Sequence, residues 1–174
     1  MNLTVWQSGA KPHQGLLRAG DAVMRCALGR GGITDNKREG DGATPSGVYP
    51  LRYLLYRADR GDRPQTNLSC APIGPRDGWC DDPKDVAYNQ PVRLPYQASA
   101  ESLTRRDRLY DRLVVTGHNE PPVVPGLGSA IFMHVARPDY GPTLGCIALA
   151  PGDLERVLRN VGLQSTLHIK PARA

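Results

Sequence analysis

Cys146 is set apart from the other three cysteines by its neighbours, in the run Pro142-Thr143-Leu144-Gly145-Cys146. A thiol attacks only as its thiolate, and a nearby imidazole is the usual means of supplying one near neutral pH. A glycine just before a nucleophile lets the backbone approach a substrate closely and can aim N–H groups at a developing oxyanion. The histidine that could serve is His134, eleven residues before Gly145. The segment Ser129-Ala130-Ile131-Phe132-Met133-His134-Val135 alternates, which puts Ile131, Met133 and Val135 on one face of a strand and Phe132 and His134 on the other. If Cys146 lies on an adjacent strand, the two form a cysteine–histidine pair for nucleophilic catalysis. A lone strand histidine is also a common packed core residue, and spacing alone leaves both readings open.

The other thiols, Cys26, Cys70 and Cys80, read as small buried hydrophobes. No pair of cysteines has the CxxC spacing of a zinc or thioredoxin-type site, so no metal centre is expected. Cys70 and Cys80 are near enough in sequence to pair under oxidising conditions. The start, Met1 to Gln7, shows no basic and apolar leader, so the cytoplasm is the expected compartment and reduced thiols the expected state.

The elements that must position these residues are mainly strands. The 174 residues include 19 glycines and 16 prolines, about a fifth of the chain. Proline blocks helix interiors and central strands, so the composition favours short strands joined by turns and excludes a helical bundle. Strands are expected over 3–6, 15–19, 22–28, 47–56, 109–116, 130–136, 146–149 and 166–169, with Gly20-Asp21 as a hairpin turn. One helix is expected over 151–161. Pro151 suits its first turn, Gly162 follows its end, and Leu154, Val157, Leu158 and Val161 form one apolar stripe. The stretch 58–106 is broken by prolines and reads as a lid or pocket wall.

Charge narrows the partners. The net charge is +5, but acidic residues sit among the basic ones, as in Asp35-Asn36-Lys37-Arg38-Glu39, so no basic stripe for nucleic acid is present. No stretch approaches the length of a membrane span.

Three separated motifs in order carry a resemblance: Gly42-Ala43-Thr44-Pro45-Ser46-Gly47-Val48-Tyr49, Gly128 to His134, and Pro142 to Leu149. The chain resembles the L,D-transpeptidase catalytic domain family (the YkuD type), from its amino-terminal strands to its closing strand. The segments Gly78-Trp79-Cys80-Asp81-Asp82-Pro83 and Tyr88-Asn89 look like those of its short single-domain members.

The resemblance implies one mostly β, β-sandwich-like catalytic domain over residues 1–174, with the helix near its C-terminus. It implies a cysteine acyl-enzyme acting on peptidoglycan stem peptides or muropeptides, with no metal or organic cofactor. Cys146 would attack the carbonyl of the L-centre of the third residue, typically diaminopimelate, and expel the terminal D-alanine. His134 would be base and then proton donor, and the backbone N–H of Cys146, with Gly145, would hold the oxyanion.

The chain departs from the family pattern in two places. Leu144 stands where a second histidine is usual, and Ala148 where an arginine, a natural carboxylate binder, is usual. Arg38, Arg137 and Lys37 are the cations that could replace it. Further substrate-binding candidates are Trp79, Asp81, Tyr88, Asn89, His118, Asn119 and Thr143. Trp79 has packing as its alternative, Tyr88 and Asn89 loop support, and His118-Asn119 a plain strand-end turn. Three functions follow. The favoured one is an L,D-carboxypeptidase that trims tetrapeptides to tripeptides in recycling. The alternative is an L,D-transpeptidase that forms 3–3 crosslinks or exchanges D-amino acids. The third is an inactive module that only binds peptidoglycan. Oligomeric state has no signal in the sequence.

Overall fold

Alternating burial sets the first three strands. Leu3 and Val5 of β1 (Asn2–Gln7), Leu17 of β2 (Gln14–Ala19), and Met24 and Cys26 of β3 (Ala22–Ala27) point inward. Gly20, at φ +60°, makes the tight turn between β2 and β3. In the computed structural model, which describes residues 1–172, these strands are part of one ring. Of the domain expected over 1–174, residues 173–174 lie outside the described residues.

The remaining elements are β4 (Ile33–Thr34), β5 (Thr44–Pro45), β6 (Gly47–Tyr56), β7 (Ser69–Pro72), β8 (Asp77–Cys80), β9 (Pro91–Arg93), β10 (Ala100–Ser102), β11 (Arg112–Thr116), β12 (Phe132–Val135), β13 (Ile147–Leu149), α1 (Pro151–Leu158) and β14 (Thr166–Ile169). The main sheet runs β11-β12-β13-β3-β2-β1-β14-β6, and β6 pairs back onto β11 to close it. The long β6 makes closure possible. Its first residues pair with β14, and Leu51 to Tyr56 pair with β11. β7 adds in parallel to the second half of β6. Closure leaves few edges that could pair with other chains. The expected mostly β, sandwich-like architecture with one helix holds among the described residues, and no helix there is long and apolar enough to cross a membrane.

Two cores lie on opposite faces of β11 and β12. Val114 and Met133 join the larger core, which includes Leu3, Leu17, Leu54, Ile147 and Leu149 and takes Leu154, Val157 and Leu158 from α1. Leu113, Val115 and Phe132 face the other way, into a smaller core with Trp79, Leu103, Tyr110 and Cys146. A three-stranded sheet, β10-β8-β9, supplies Trp79 to this second core.

Three expectations change. The stretch 58–106 carries β7 to β10; strands of three or four residues between prolines leave no periodic signal to read. β12 starts at Phe132 because Ala130 adopts φ +52°, which no strand residue can share. The helix ends at Leu158, because the Asn160 N–H turns to the Val157 carbonyl and the Val161 carbonyl accepts the N–H of Asn67 at 3.2 Å. Val161 stays fully buried, so the apolar stripe outlasts the helix.

Leu154 is wholly enclosed by the larger core, far from the smaller one. Leu154→Ala should lower stability by about 2–5 kcal/mol through lost burial and a cavity. Urea unfolding should show a lower midpoint with an unchanged slope.

Candidate active site

Register decides which side chains can meet. β12 and β13 run parallel, with Met133 opposite Ile147 and His134 opposite Ala148. Cys146, just before β13, therefore stands opposite Phe132, one pleat along the same face from His134. Its Sγ accepts the Phe132 N–H at 3.4 Å and donates to the Ala130 carbonyl at 3.1 Å.

The turn before Cys146 needs its glycine. Gly145 has φ +138°, and a Cβ there would lie 2.9 Å from the Ala43 carbonyl oxygen. Thr143 ties this turn together, donating its hydroxyl to the Cys146 carbonyl at 2.7 Å and accepting the Gly145 N–H at 3.1 Å. The Gly145 N–H is thus committed and cannot serve an oxyanion. The Cys146 N–H meets no acceptor among the described residues.

His134 is fixed by its own strand. Its Nδ1 lies 2.8 Å from the Val135 carbonyl, which can only accept, so Nδ1 carries the proton and Nε2 keeps its lone pair. Nε2 has no hydrogen-bond partner among the described residues, and the ring lines the same pocket as Cys146. The Tyr110 ring packs edge-on against it, with centroids 5.3 Å apart.

Electrostatics at the pair favour neither charged form. Burial pushes the Cys146 thiol up to about 12, with the Glu101 charge adding to the rise and the Phe132 N–H and Lys37 opposing it. Burial takes His134 down to about 4, against the Val135 hydrogen bond. Burial thus disfavours the charged form of both groups. The thiol must turn from Ala130 towards Nε2 before its proton can move.

Asn89 sits behind this arrangement. Its Oδ1 accepts the Trp79 indole N–H at 3.0 Å and the Ala130 N–H at 2.9 Å. Its Nδ2 donates to the carbonyls of His118 and Asn119 at 3.0 and 2.9 Å. This one buried amide thus holds β8, the end of β11 and the left-handed Ala130 whose carbonyl takes the thiol proton.

The pocket has a volume of about 350 Å³ and is lined by Cys146 and His134 with Thr143, Leu144, Ala148 and Arg137. Glu39, Asp81, Glu101, Arg105 and Tyr110 line it as well. Among the sequence candidates, Asp81 and Thr143 reach the pocket. Trp79, Tyr88, Asn89 and Asn119 lie behind its wall. Trp79 packs edge-on against Phe132, Tyr88 donates to Glu39, and Asn119 knits its loop to Val124 and Gly128. His118 and Arg38 line a separate cleft. Sequence reading missed Glu39, Glu101, Arg105 and Tyr110 as pocket residues. Glu39 is far along the chain from the other three, which fall between residues 101 and 110, and nothing in their local sequence marks them. All four cysteines are free thiols, and among the described residues no group of His, Cys, Asp or Glu is arranged to hold a metal ion.

A family model for the L,D-transpeptidase catalytic domain, YkuD, matches residues 10–169. No curated protein and no solved structure matches the chain.

Two measurements bear on the resting site. Iodoacetamide should alkylate Cys146 at a rate that climbs about tenfold per pH unit from pH 7 upward, since only the thiolate reacts and the raised pKa lies above the range. A rate already level between pH 5 and 8, read by mass spectrometry of the Cys146 peptide, would show a resting ion pair instead. Asn89→Ala should cost about 3 kcal/mol in unfolding free energy, because it strands buried partners on three segments.

Proposed function

The chain belongs to the L,D-transpeptidase catalytic domain family, and on that premise we propose that it is an L,D-carboxypeptidase, releasing D-alanine from peptidoglycan tetrapeptides to leave tripeptides. Members of the family are cysteine-dependent enzymes acting on peptidoglycan. The observation that carries the reading is the convergence of the Cys146 thiol, the unprotonated Nε2 of His134 and the uncommitted Cys146 N–H on one pocket.

Each part has a chemical task. As substrate enters, the thiol leaves the Ala130 carbonyl and gives its proton to Nε2 of His134. The sulfur then attacks the carbonyl carbon of the third residue, and the Cys146 N–H meets the oxyanion. Collapse breaks the C–N bond, and the imidazolium gives its proton to the departing D-alanine amine. In the second half His134 takes a proton from water, the hydroxide attacks the thioester, and the thiol is regenerated. Val135 keeps the ring in the tautomer that both halves need.

Of the three cations that could replace the arginine absent at Ala148, Arg137 lines the pocket. Lys37 is buried and paired with Asp41, and Arg38 lies in the other cleft. Arg137 is therefore our choice for the substrate carboxylate, and Asp81 and Thr143 remain the sequence candidates in position to touch substrate.

Hydrolysis and transfer diverge only when the acyl-enzyme is resolved. A transferase must exclude water while it waits for an amine. Five ionisable side chains line this pocket, Glu39, Asp81, Glu101, Arg105 and Arg137, and a wall of that polarity favours the entry of water to the thioester, which supports hydrolysis. The same carboxylates could attract an acceptor amine, which is the observation favouring transpeptidation as the second reading.

Product analysis tests both. With a disaccharide-tetrapeptide, the expected main product by mass spectrometry is the tripeptide. A 3–3 dimer, or D-alanine replaced by an added D-amino acid, in excess of tripeptide would establish transfer instead. Cys146→Ala should lower either activity by at least about a thousandfold, as loss of a nucleophile does, while Cys26→Ala and Cys70→Ala keep most of it. His134→Ala should lose both products. A Cys146→Ala protein that still turned over would remove the acyl-enzyme reading.

A further inference from the structure

Lys37 is only 8% exposed, does not line the pocket, and has no part in the proton transfers described above. An ammonium group is costly to bury unless a counter-charge and hydrogen bonds hold it. Asp41 supplies both. Its carboxylate accepts from Lys37 Nζ and is itself fixed by the N–H groups of Arg38 and Ala43, each at 2.8 Å.

Two glycines make room for the side chain. A Cβ at Gly128 would lie 2.8 Å from Lys37 Cε and 3.0 Å from its Cγ, and one at Gly145 would lie 3.6 Å from Nζ. The stem therefore runs close along Gly128, ahead of β12, and ends against the back of the turn that carries Cys146. The same loop braces that turn, since Asp41 accepts the Ala43 N–H and the Ala43 carbonyl closes on Gly145. A lysine on the surface needs no such passage. This one brings a fixed positive charge to a set place behind the sulfur.

Charge agrees with this geometry. Burial dominates the Cys146 thiol, but among the cations that oppose its rise Lys37 acts more strongly than Arg105, which lines the pocket. Arg105 is engaged in a two-pronged pair with Asp107 and stacks on Tyr110. The other groups facing the sulfur do not favour the thiolate. Glu101 resists it, burial drives His134 towards its neutral form, and burial keeps the Tyr110 hydroxyl protonated. Lys37 itself is faced by Asp41, by Glu39, which Tyr88 and Ser129 hold, and by His118 beyond β11, which burial lowers with the Lys37 charge adding to the fall.

We propose that Lys37 is a positioning residue of the reaction, whose ammonium, fixed by Asp41 behind the Gly145–Cys146 turn, steadies the negative charge that appears on sulfur as His134 takes the thiol proton. The inference rests on the proposed function and holds for hydrolysis and transfer alike, because both begin with that step. Lys37 keeps its own protons throughout. The S–H bond breaks towards Nε2 of His134, and the electron pair left on Sγ forms the bond to the substrate carbonyl carbon. A charge already in place when the thiolate forms needs no reorganisation at that moment. Lys37 thus acts through Cys146 without meeting substrate.

Alkylation of Cys146 reads this charge with no substrate present. Neutral iodoacetamide reports thiolate fraction and access, whereas anionic iodoacetate reports both and the local charge as well, so the ratio of the two rates isolates the charge. In Lys37→Met and Lys37→Gln the iodoacetamide rate at pH 8 should fall about tenfold, and the iodoacetate-to-iodoacetamide ratio about threefold. Lys37→Gln can still donate to Asp41, so its deficit comes from charge and not from a lost hydrogen bond. Lys37→Arg should restore the ratio to within about twofold of wild type. Asp41→Asn keeps an oxygen for the backbone N–H groups but removes the counter-charge, and should move the ratio upward. In D-alanine release the neutral variants should lose about tenfold in kcat, with KM within about threefold. A ratio unchanged in the neutral variants, or lost equally in Lys37→Arg, would overturn the proposal and leave Lys37 a structural tether. No D-alanine release by the wild type would remove the proposed function, while the alkylation ratio would still decide whether Lys37 charges the sulfur. Should both neutral variants fail to fold by circular dichroism, Asp41→Asn decides, and a ratio that did not rise there would count against Lys37.

Discussion

Ala130 holds a left-handed backbone at φ +52°, a conformation that costs an alanine about 1 kcal/mol or more. The Asn89 amide holds it there, accepting the Ala130 N–H while its other hydrogen bonds are spent on Trp79, His118 and Asn119. The consequence reaches Cys146 directly, since its thiol donates to the Ala130 carbonyl. A buried amide with every donor and acceptor engaged is rigid, because any shift leaves a polar group unpaired at low dielectric. The Cys146 thiol is therefore aimed by a residue that does not touch the pocket.

The same burial that makes this framework rigid sets the electrostatics of the site. Cys146 and His134 are both nearly inaccessible, and both charged forms are disfavoured. Glu101 resists thiolate formation, and Lys37, behind Gly145, assists it. Such a site is quiescent towards solvent. On the proposed function, its chemistry begins when substrate brings the thiol and imidazole together and offers a carbonyl to accept the charge. Acidic groups together with Arg105 and Arg137 give the pocket both signs of charge rather than one.

The architecture divides these duties between two layers of packing. The larger core and α1 stabilise the ring, and the parallel β12–β13 register fixes the spacing of Cys146 and His134. The smaller core is covered by β8, β9 and β10, which bring Trp79, Asp81 and Glu101 over the face that bears the nucleophile. A segment with little regular periodicity thus forms most of the wall opposite the catalytic strands. Pocket shape and charge can vary there without disturbing the ring.

Alternation in Ser129 to Val135 put His134 on the face away from the main core, and Gly145 before Cys146 marked the nucleophile. Both are local properties, readable because strand geometry and glycine's conformational range depend only on neighbouring residues. The long strand at Gly47–Tyr56, the hairpin at Gly20 and the onset of the helix at Pro151 were legible for the same reason. Ring closure through β6 was not, because pairing is a choice among distant strands that no single segment records. Two of the pocket's acids were not legible either. Glu39 and Glu101 are ordinary surface types in sequence, and only the folded sheet brings them within electrostatic reach of one another. Asn89 and Trp79 show the division most clearly: their motif was visible, but whether they faced substrate or supported Ala130 depended on contacts made 10 to 41 residues away. Protonation was settled last, since the neutral state of Cys146 and His134 comes from burial, and burial exists only once the whole chain has packed.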